Sequence, residues 1–310
     1  MERTLLGKTD LSVSRLGFGA APIGFLGTPQ GQTGKLVTML LDEGVNLFDT
    51  APMYVDAEEK LGVALAGRRD EAVLVSKCGI EEEDLPGKAW SAELINATID
   101  RSLKRLNTDH LDVVLLHSCD LKVLEQGEAA EALIAARKAG KTRAIGYSGD
   151  NEAAAAAAAM DWVDVIEMSV NICDQHNIDN VLPLCQEHHV GVIAKRPIAN
   201  AAWNPLNKQR GLYKEYAKTY HERLKAMKVS PVELGYHGHI EVEWPEIALK
   251  FALAFDGVDT AIVGTTSTVN ATANIEAVNK NPLREQVVKK LRQAFKDAEA
   301  ASGEAWVGQT

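Results

Sequence analysis

Four side chains suited to moving a proton onto or off an oxygen sit at or just beyond the ends of three successive apolar runs. NLFDTAPMY closes one run at Asp49 and brings Tyr54 five residues later, LVSK closes the next at Lys77, and VVLLH closes the third at His117. A phenol with an ordinary pKa near 10 is a sluggish acid at neutral pH, but an adjacent ammonium favours the phenolate and lowers that value. Lys77 is therefore expected to acidify Tyr54, Asp49 to keep Lys77 charged and oriented, and His117 to donate to a carbonyl oxygen or relay a proton. Taken singly, a strand-end Asp caps or turns, a Lys is solvated, and a Tyr or His packs. It is their conjunction on adjacent runs that points to catalysis. General acid–base catalysis contributes roughly 10² to 10⁴ in rate, too little to reduce a ketone, so the hydride must come from a cofactor.

Bringing four such groups into one volume requires strands that end side by side. Short apolar or β-branched runs predict eight of them: Arg15 to Gly19, Val45 to Asp49, Ala72 to Lys77, Leu111 to His117, Thr142 to Ser148, Val163 to Ser169, Gly191 to Lys195 and Thr260 to Gly264. Helical spacing fills the gaps, as in Leu36, Val37, Leu40 and Leu41 before Gly44. Another helix opens on Ser91 as N-cap, with Glu93 in its first turn and Trp90 placed to staple against Ile95. A third covers 128 to 138, and the alanine tract after Asp150 and Asn151 has the composition of a helix lying close on a sheet. Strand and helix alternating eight times predict a single α/β domain over 1–310, a (β/α)8 TIM barrel with the polar strand ends at its C-terminal face. Such a barrel takes about 250 residues, which leaves room for a long insertion after the seventh strand, 199–243, near the substrate mouth, and a C-terminal helix and tail, 283–310. An open doubly wound sheet fits less well, because no GxGxxG opens a helix after any strand.

Composition narrows the partners. With 33 basic and 43 acidic residues the net charge is −10, a field that repels polyphosphate backbones and anionic lipid. Neither nucleic acid nor a membrane is an expected partner, no apolar run reaches bilayer length, and no leader is visible at the start. Four scattered cysteines without a CxxC pair fit reduced thiols and a cytoplasmic location.

DLSVSRLGFGAAP, FDTAPMYVDAEEKLG, SLKRLNTDHLDVVLLH, GKTRAIGYS and AIVGTTSTVNATAN together resemble, in order and over residues 3 to 280, the motifs of the aldo-keto reductase superfamily. The resemblance implies a (β/α)8 barrel that binds NADP(H), or less often NAD(H), in extended form across the strand ends and reduces small aldehydes or ketones to alcohols. Carried over by position, Tyr54 is the general acid, with Asp49, Lys77 and His117 as its partners. Ser148 and Gly149 after the fifth strand and Glu167 on the sixth would hold the nicotinamide carboxamide, with Gly19, Ala20 and Asp49 beside the ring. Lys195, Arg196, Pro197 and Ile198 on the seventh strand, and Gly264, Thr265, Thr266, Asn270 and Asn274 after the eighth, complete the cofactor contacts.

This chain departs from the family pattern in several places. Gly149 stands where the family commonly has Asn, Glu167 where it has Gln, and Lys195 where an aromatic residue stacks on the ring. A cation over a cationic ring is repelled, so Lys195 is expected to turn toward a phosphate. The basic residue that clamps the 2′-phosphate is missing from GTTSTVNATAN, leaving Arg196 or Lys195 to supply that charge for NADP(H), with NAD(H) as the other possibility. Two rival readings use the same barrel. One is a nicotinamide-binding regulatory subunit or redox sensor with negligible turnover; the other is a lyase using Lys77 as a Schiff-base amine. HxH at His237 to His239, and Cys173 with His176, have metal-like spacing but too few ligands for a structural site, so no metal is expected.

Overall fold

The computed structural model describes residues 1–208 and 213–309, the side chains of 213–216 excepted. A short antiparallel hairpin, β1 (Arg3–Leu5) and β2 (Ser12–Ser14), precedes eight parallel strands. These are β3 (Leu16–Gly19), β4 (Leu47–Asp49), β5 (Val73–Cys78), β6 (Leu111–His117), β7 (Thr142–Ser148), β8 (Val165–Ser169), β9 (Gly191–Lys195) and β10 (Thr260–Val263). β10 pairs with both β9 and β3 and closes the barrel. Each strand lies within two residues of the run that predicts it.

The pleat explains both the core and the site. Side chains alternate across a strand, so one parity points into the barrel and the other toward the helices. Leu47, Val73, Val75, Val113, Leu115, Ala144, Val165, Ile193 and Ile262 pack together inside, while Phe48, Leu74, Val114, Ile145, Ile166 and Val192 join the helix layer. Continuing the inward parity by one step brings each strand to its polar end: Asp49 after Leu47, Lys77 after Val75, His117 after Leu115, Glu167 after Val165, and Lys195 after Ile193. An apolar interior and a polar rim are thus the same residue set read at two heights.

The other mouth of the barrel is plugged by the hairpin, whose Leu6, Leu11 and Val13 extend the interior cluster. Its turn depends on Gly7, at φ 55°, because a Cβ there would run into the Gly191 backbone. Helix Ala92–Arg105 begins as its sequence predicts, Leu94 N–H donating to Ser91 Oγ at 3.3 Å. The alanine tract forms helix Asn151–Ala158, with Ala154, Ala157 and Ala158 buried.

Segment 199–243 contains helix Tyr213–Met227, and its last residues already belong to helix Ile240–Ala252. After helix Glu285–Ser302 the chain folds back over the barrel, Trp306 meeting Phe295 edge to face. There Asn151 and Gly308 exchange two hydrogen bonds, Gln309 N–H donates to Asp174 at 3.0 Å, and Arg223 donates to Val307 O at 2.9 Å. No described helix is long and apolar enough to cross a membrane, and the four cysteines are buried, unbridged thiols.

Candidate active site

At the C-terminal end of the strands a cavity of about 530 Å³ opens. Its wall includes Gly19, Asp49, Tyr54, His117, Ser148, Glu167, Lys195, Arg196, Pro197, Ile198, Gly264, Thr265, Thr266 and Asn270. Residues as far apart in the chain as Gly19 and Asn270 therefore converge on one space.

Asp49 and Lys77 are carried by β4 and β5, and the Lys77 ammonium is hydrogen-bonded to Asp49 and, at 3.1 Å, to Thr50 O. Lys77 is not on the cavity wall; it lies behind Asp49 and Tyr54, 5.6 Å from the centroid of the Tyr54 ring. Tyr54 sits in the turn after β4, wedged between Phe25 (ring centroids 5.5 Å apart) and His117 (6.2 Å). Gly24 permits this wedge, since a Cβ there would strike the Tyr54 backbone.

Electrostatics correct one expectation. Lys77 does pull the Tyr54 phenol down, but burial outweighs it, and the phenol is pushed up to about 12. Enclosure thus keeps Tyr54 protonated, and Lys77 stabilises the charge that appears when the proton leaves. Lys77 itself is buried, yet Asp49 and Glu167 hold its ammonium above the usual range. Burial, then the ammonium of Lys77, lower His117 to about 3, so its imidazole is neutral and keeps one N–H to donate.

Glu167 brings a second carboxylate to the same ammonium. Its Oε1 accepts from Ser148 Oγ at 3.2 Å, and its Oε2 lies 3.2 Å from Lys77 Nζ. Burial raises Asp49, with repulsion from Glu167 adding to it, and Lys77 opposes both. In Glu167 burial is overcome by Lys77 and Lys195, which hold its carboxyl below the ordinary range.

Five further expectations change. Lys195 does not reach out for a phosphate: its Nζ pairs at 3.0 Å with Asp150, whose other oxygen accepts from Ser169 N–H (2.7 Å) and Asn177 (2.6 Å). Arg196, at φ 55°, donates to Ser169 Oγ at 3.1 Å and to Gln309 O. Gly149 is off the cavity wall because Tyr147 covers it; a Cβ would meet that phenol, whose hydroxyl donates to Cys119 O at 2.8 Å. An Asn cannot stand there while Tyr147 does. Ala20 is also buried behind the wall, its N–H donating to Asp49 O, and Ala21 and Pro22 line the cavity in its place. Asn274 lies further along helix Thr268–Asn279, away from the wall.

The cavity also has walls that sequence reasoning missed: Pro22, Phe25, Met53, Ser118, Asn200 and Lys208. Asn200 lies in a run of non-glycine residues with positive φ, Ala199 to Ala201, and its buried Nδ2 finds no hydrogen-bond partner among the described residues. A strained loop aiming an unused donor at a cavity is a sign of ligand binding. Opposite it, Ser267 caps helix Thr268–Asn279, accepting from Asn270 N–H at 3.3 Å, and Gln32 ties down the loop through Thr266 O at 2.6 Å. The close approach of this loop needs Gly264, where a Cβ would press on Pro22. An orphan amide, a capped helix start and a glycine-lined wall fit an extended ligand carrying phosphate, with its reactive end at Tyr54.

The buried thiols do not add to this chemistry, because burial pushes Cys119 up to about 12 and Cys78 higher still. Among the described residues no group of three or more His, Cys, Asp or Glu is placed to hold a metal.

Comparison with known proteins shows the family. Residues 15–296 match the model of the aldo/keto reductase family. L-galactose dehydrogenase of Arabidopsis thaliana is 28% identical over 303 residues, 90% of this chain and 89% of the plant protein. The NADH-specific methylglyoxal reductase of Escherichia coli is 26% identical over 317 residues, 91% of this chain and 94% of its own. Among solved structures, the holo form of an aldo-keto reductase from Bacillus halodurans superposes with a TM-score of 0.78 at 27% identity, covering 95% of this chain and 96% of its own.

Proposed function

The chain belongs to the aldo/keto reductase family, and from that premise we propose that it reduces small aldehydes or ketones to alcohols with Tyr54 as the proton donor. The observation that carries this reading is the meeting of Tyr54, His117, Asp49 and Lys77 at the reactive end of one cavity. When bound there, a nicotinamide cofactor supplies the hydride. Ser148 and Glu167 would hold its carboxamide, and Asn200 and the Ser267-capped helix start would hold its phosphates.

The protein's own residues then divide the proton chemistry. Neutral His117 donates a hydrogen bond to the substrate carbonyl oxygen and orients it. Tyr54 passes its hydroxyl proton to that oxygen, and Lys77, held by Asp49 and Thr50 O, stabilises the phenolate left behind. Phe25, Met53 and Pro22 give the cavity apolar surface, which excludes water and suits a small carbonyl compound.

For the cofactor we propose NADP(H). Arg196 and Lys208 line the cavity after β9, and their positive charge favours the additional phosphate. NAD(H) is the second reading, since Thr265, Thr266 and Asn270 present no charge. A cytoplasmic location is part of the proposal, in keeping with four buried thiols. Titration with NADPH and, separately, NADH, followed by tryptophan fluorescence, tests it. Saturable binding with NADPH tighter is expected; tighter NADH reassigns the cofactor, and binding of neither overturns the oxidoreductase reading.

A further inference from the structure

We propose that Glu167 gives the reactive end of the cavity an electrical preference for the cationic, oxidised nicotinamide over the neutral, reduced one. The proposal rests on the reading above that this cavity takes a nicotinamide cofactor. On the inward parity of β8, Glu167 follows Val165, is only 3% exposed, and lines the cavity beside Ser148. Its nearest cation is already committed, because Lys77 is bonded to Asp49 and to Thr50 O. Two carboxylates therefore face one ammonium, Glu167 Oε2 lying 3.2 Å from the Lys77 Nζ that Asp49 already holds.

Arg196 and Lys208, after β9, add positive charge to the wall, whereas the other charges beside Glu167 are matched or absent. Lys195 is matched by Asp150 at 3.0 Å, and His117 is neutral. Arg196 is turned to Ser169 and Gln309 O. A hydride acceptor must lie within reach of Tyr54 and His117, which puts the donor ring in the space that Ser148 and Glu167 also border. An amide in place of Glu167 would offer hydrogen bonds of the same shape but no charge. A carboxylate in a poorly solvated wall attracts a ring only when the ring is charged.

This matters for the hydride step. The hydride carries its electron pair to the carbonyl carbon, the Tyr54 proton goes to the carbonyl oxygen, and the ring that gave the hydride is left with one positive charge. A wall that prefers the charged ring makes the bound reduced form a stronger donor. For a two-electron couple, each tenfold preference lowers the potential of the bound pair by about 30 mV.

Equilibrium binding decides the matter without turnover. Dissociation constants of NADP⁺, NADPH, NAD⁺ and NADH are measured by tryptophan fluorescence for the wild-type protein and for Glu167→Gln at one ionic strength. The wild type is expected to bind the oxidised form at least tenfold tighter than the reduced one, and Glu167→Gln to erase that preference, mainly by weakening the oxidised form. A ratio unchanged within twofold, or equal weakening of both forms, overturns the proposal. Should Glu167→Gln not fold, the wild-type ratio alone decides, and tighter binding of the reduced form overturns it. Binding of none of the four nucleotides to the wild type would instead overturn the cofactor reading beneath it.

Discussion

The two mouths of the barrel hold similar buried charges and treat them in opposite ways. At the N-terminal mouth Asp112 accepts from Arg69 and Arg143, both at 2.9 Å, and from Leu74 N–H at 2.8 Å. Asp259 there accepts from Gly7 N–H (3.1 Å) and Val192 N–H (2.9 Å), while Arg15 satisfies the carbonyls of Leu253, Val258 and Asp259. Charge at this mouth staples strand starts to the plug. At the C-terminal mouth Lys77 faces two carboxylates, His117 is held neutral, and Asn200 Nδ2 has no partner among the described residues. Well-paired charge therefore marks the end that holds the fold together, and crowded or unpartnered charge marks the end kept open for a ligand.

The contrast can be broken by mutating each mouth in turn. Lys77→Met should lower kcat for carbonyl reduction by about 10³-fold, since the phenolate left on Tyr54 loses its cation; a loss under tenfold would remove Lys77 from the chemistry. Asp112→Ala should do the reverse. It strands two guanidinium groups and a backbone N–H, costs about 3 kcal/mol in denaturant unfolding, and leaves kcat within a factor of two. A fall in kcat matching the fall in stability would merge the two mouths into one cooperative unit.

Titration sharpens the comparison further. His117 has its folded-state pKa depressed to about 3, so between that value and the ordinary imidazole range the unfolded chain binds the extra proton and stability declines as pH falls. Its ring signals in NMR should stay flat from about pH 5 to 8, where an ordinary His changes charge, and a midpoint within that window would mean that the imidazole is solvated. The smallest effect belongs to Glu167→Gln. Removing one of two carboxylates competing for one ammonium should change unfolding free energy by less than about 1 kcal/mol, in either direction. A loss as large as that of Asp112→Ala would make Glu167 a structural ion pair.

How much of this was legible in the chain follows from which interactions are local. Apolar alternation ending in Asp49, Lys77 or His117 is visible along a single strand, so the barrel and the gathering of these groups at one mouth could be read directly. Strands β1 and β2 were invisible because three residues are too few to show a period. The pairing of Lys195 with Asp150 depends on β7, β8 and β9 lying in one register, and the covering of Gly149 depends on how Tyr147 folds back over it. The phenol's high pKa has the same origin, because the spacing of Tyr54 and Lys77 reveals the cation but not the enclosure that outweighs it.

Tyr54→Phe isolates the proton transfer. Cofactor oxidation by a panel of small aldehydes and ketones is compared with cofactor affinity in the wild type and the variant, because the phenol's hydroxyl is the only group removed. Affinity unchanged within twofold, with kcat reduced about 10³-fold or more, is the predicted result. Turnover within tenfold of the wild type would contradict it and take the proton donor's role away from Tyr54.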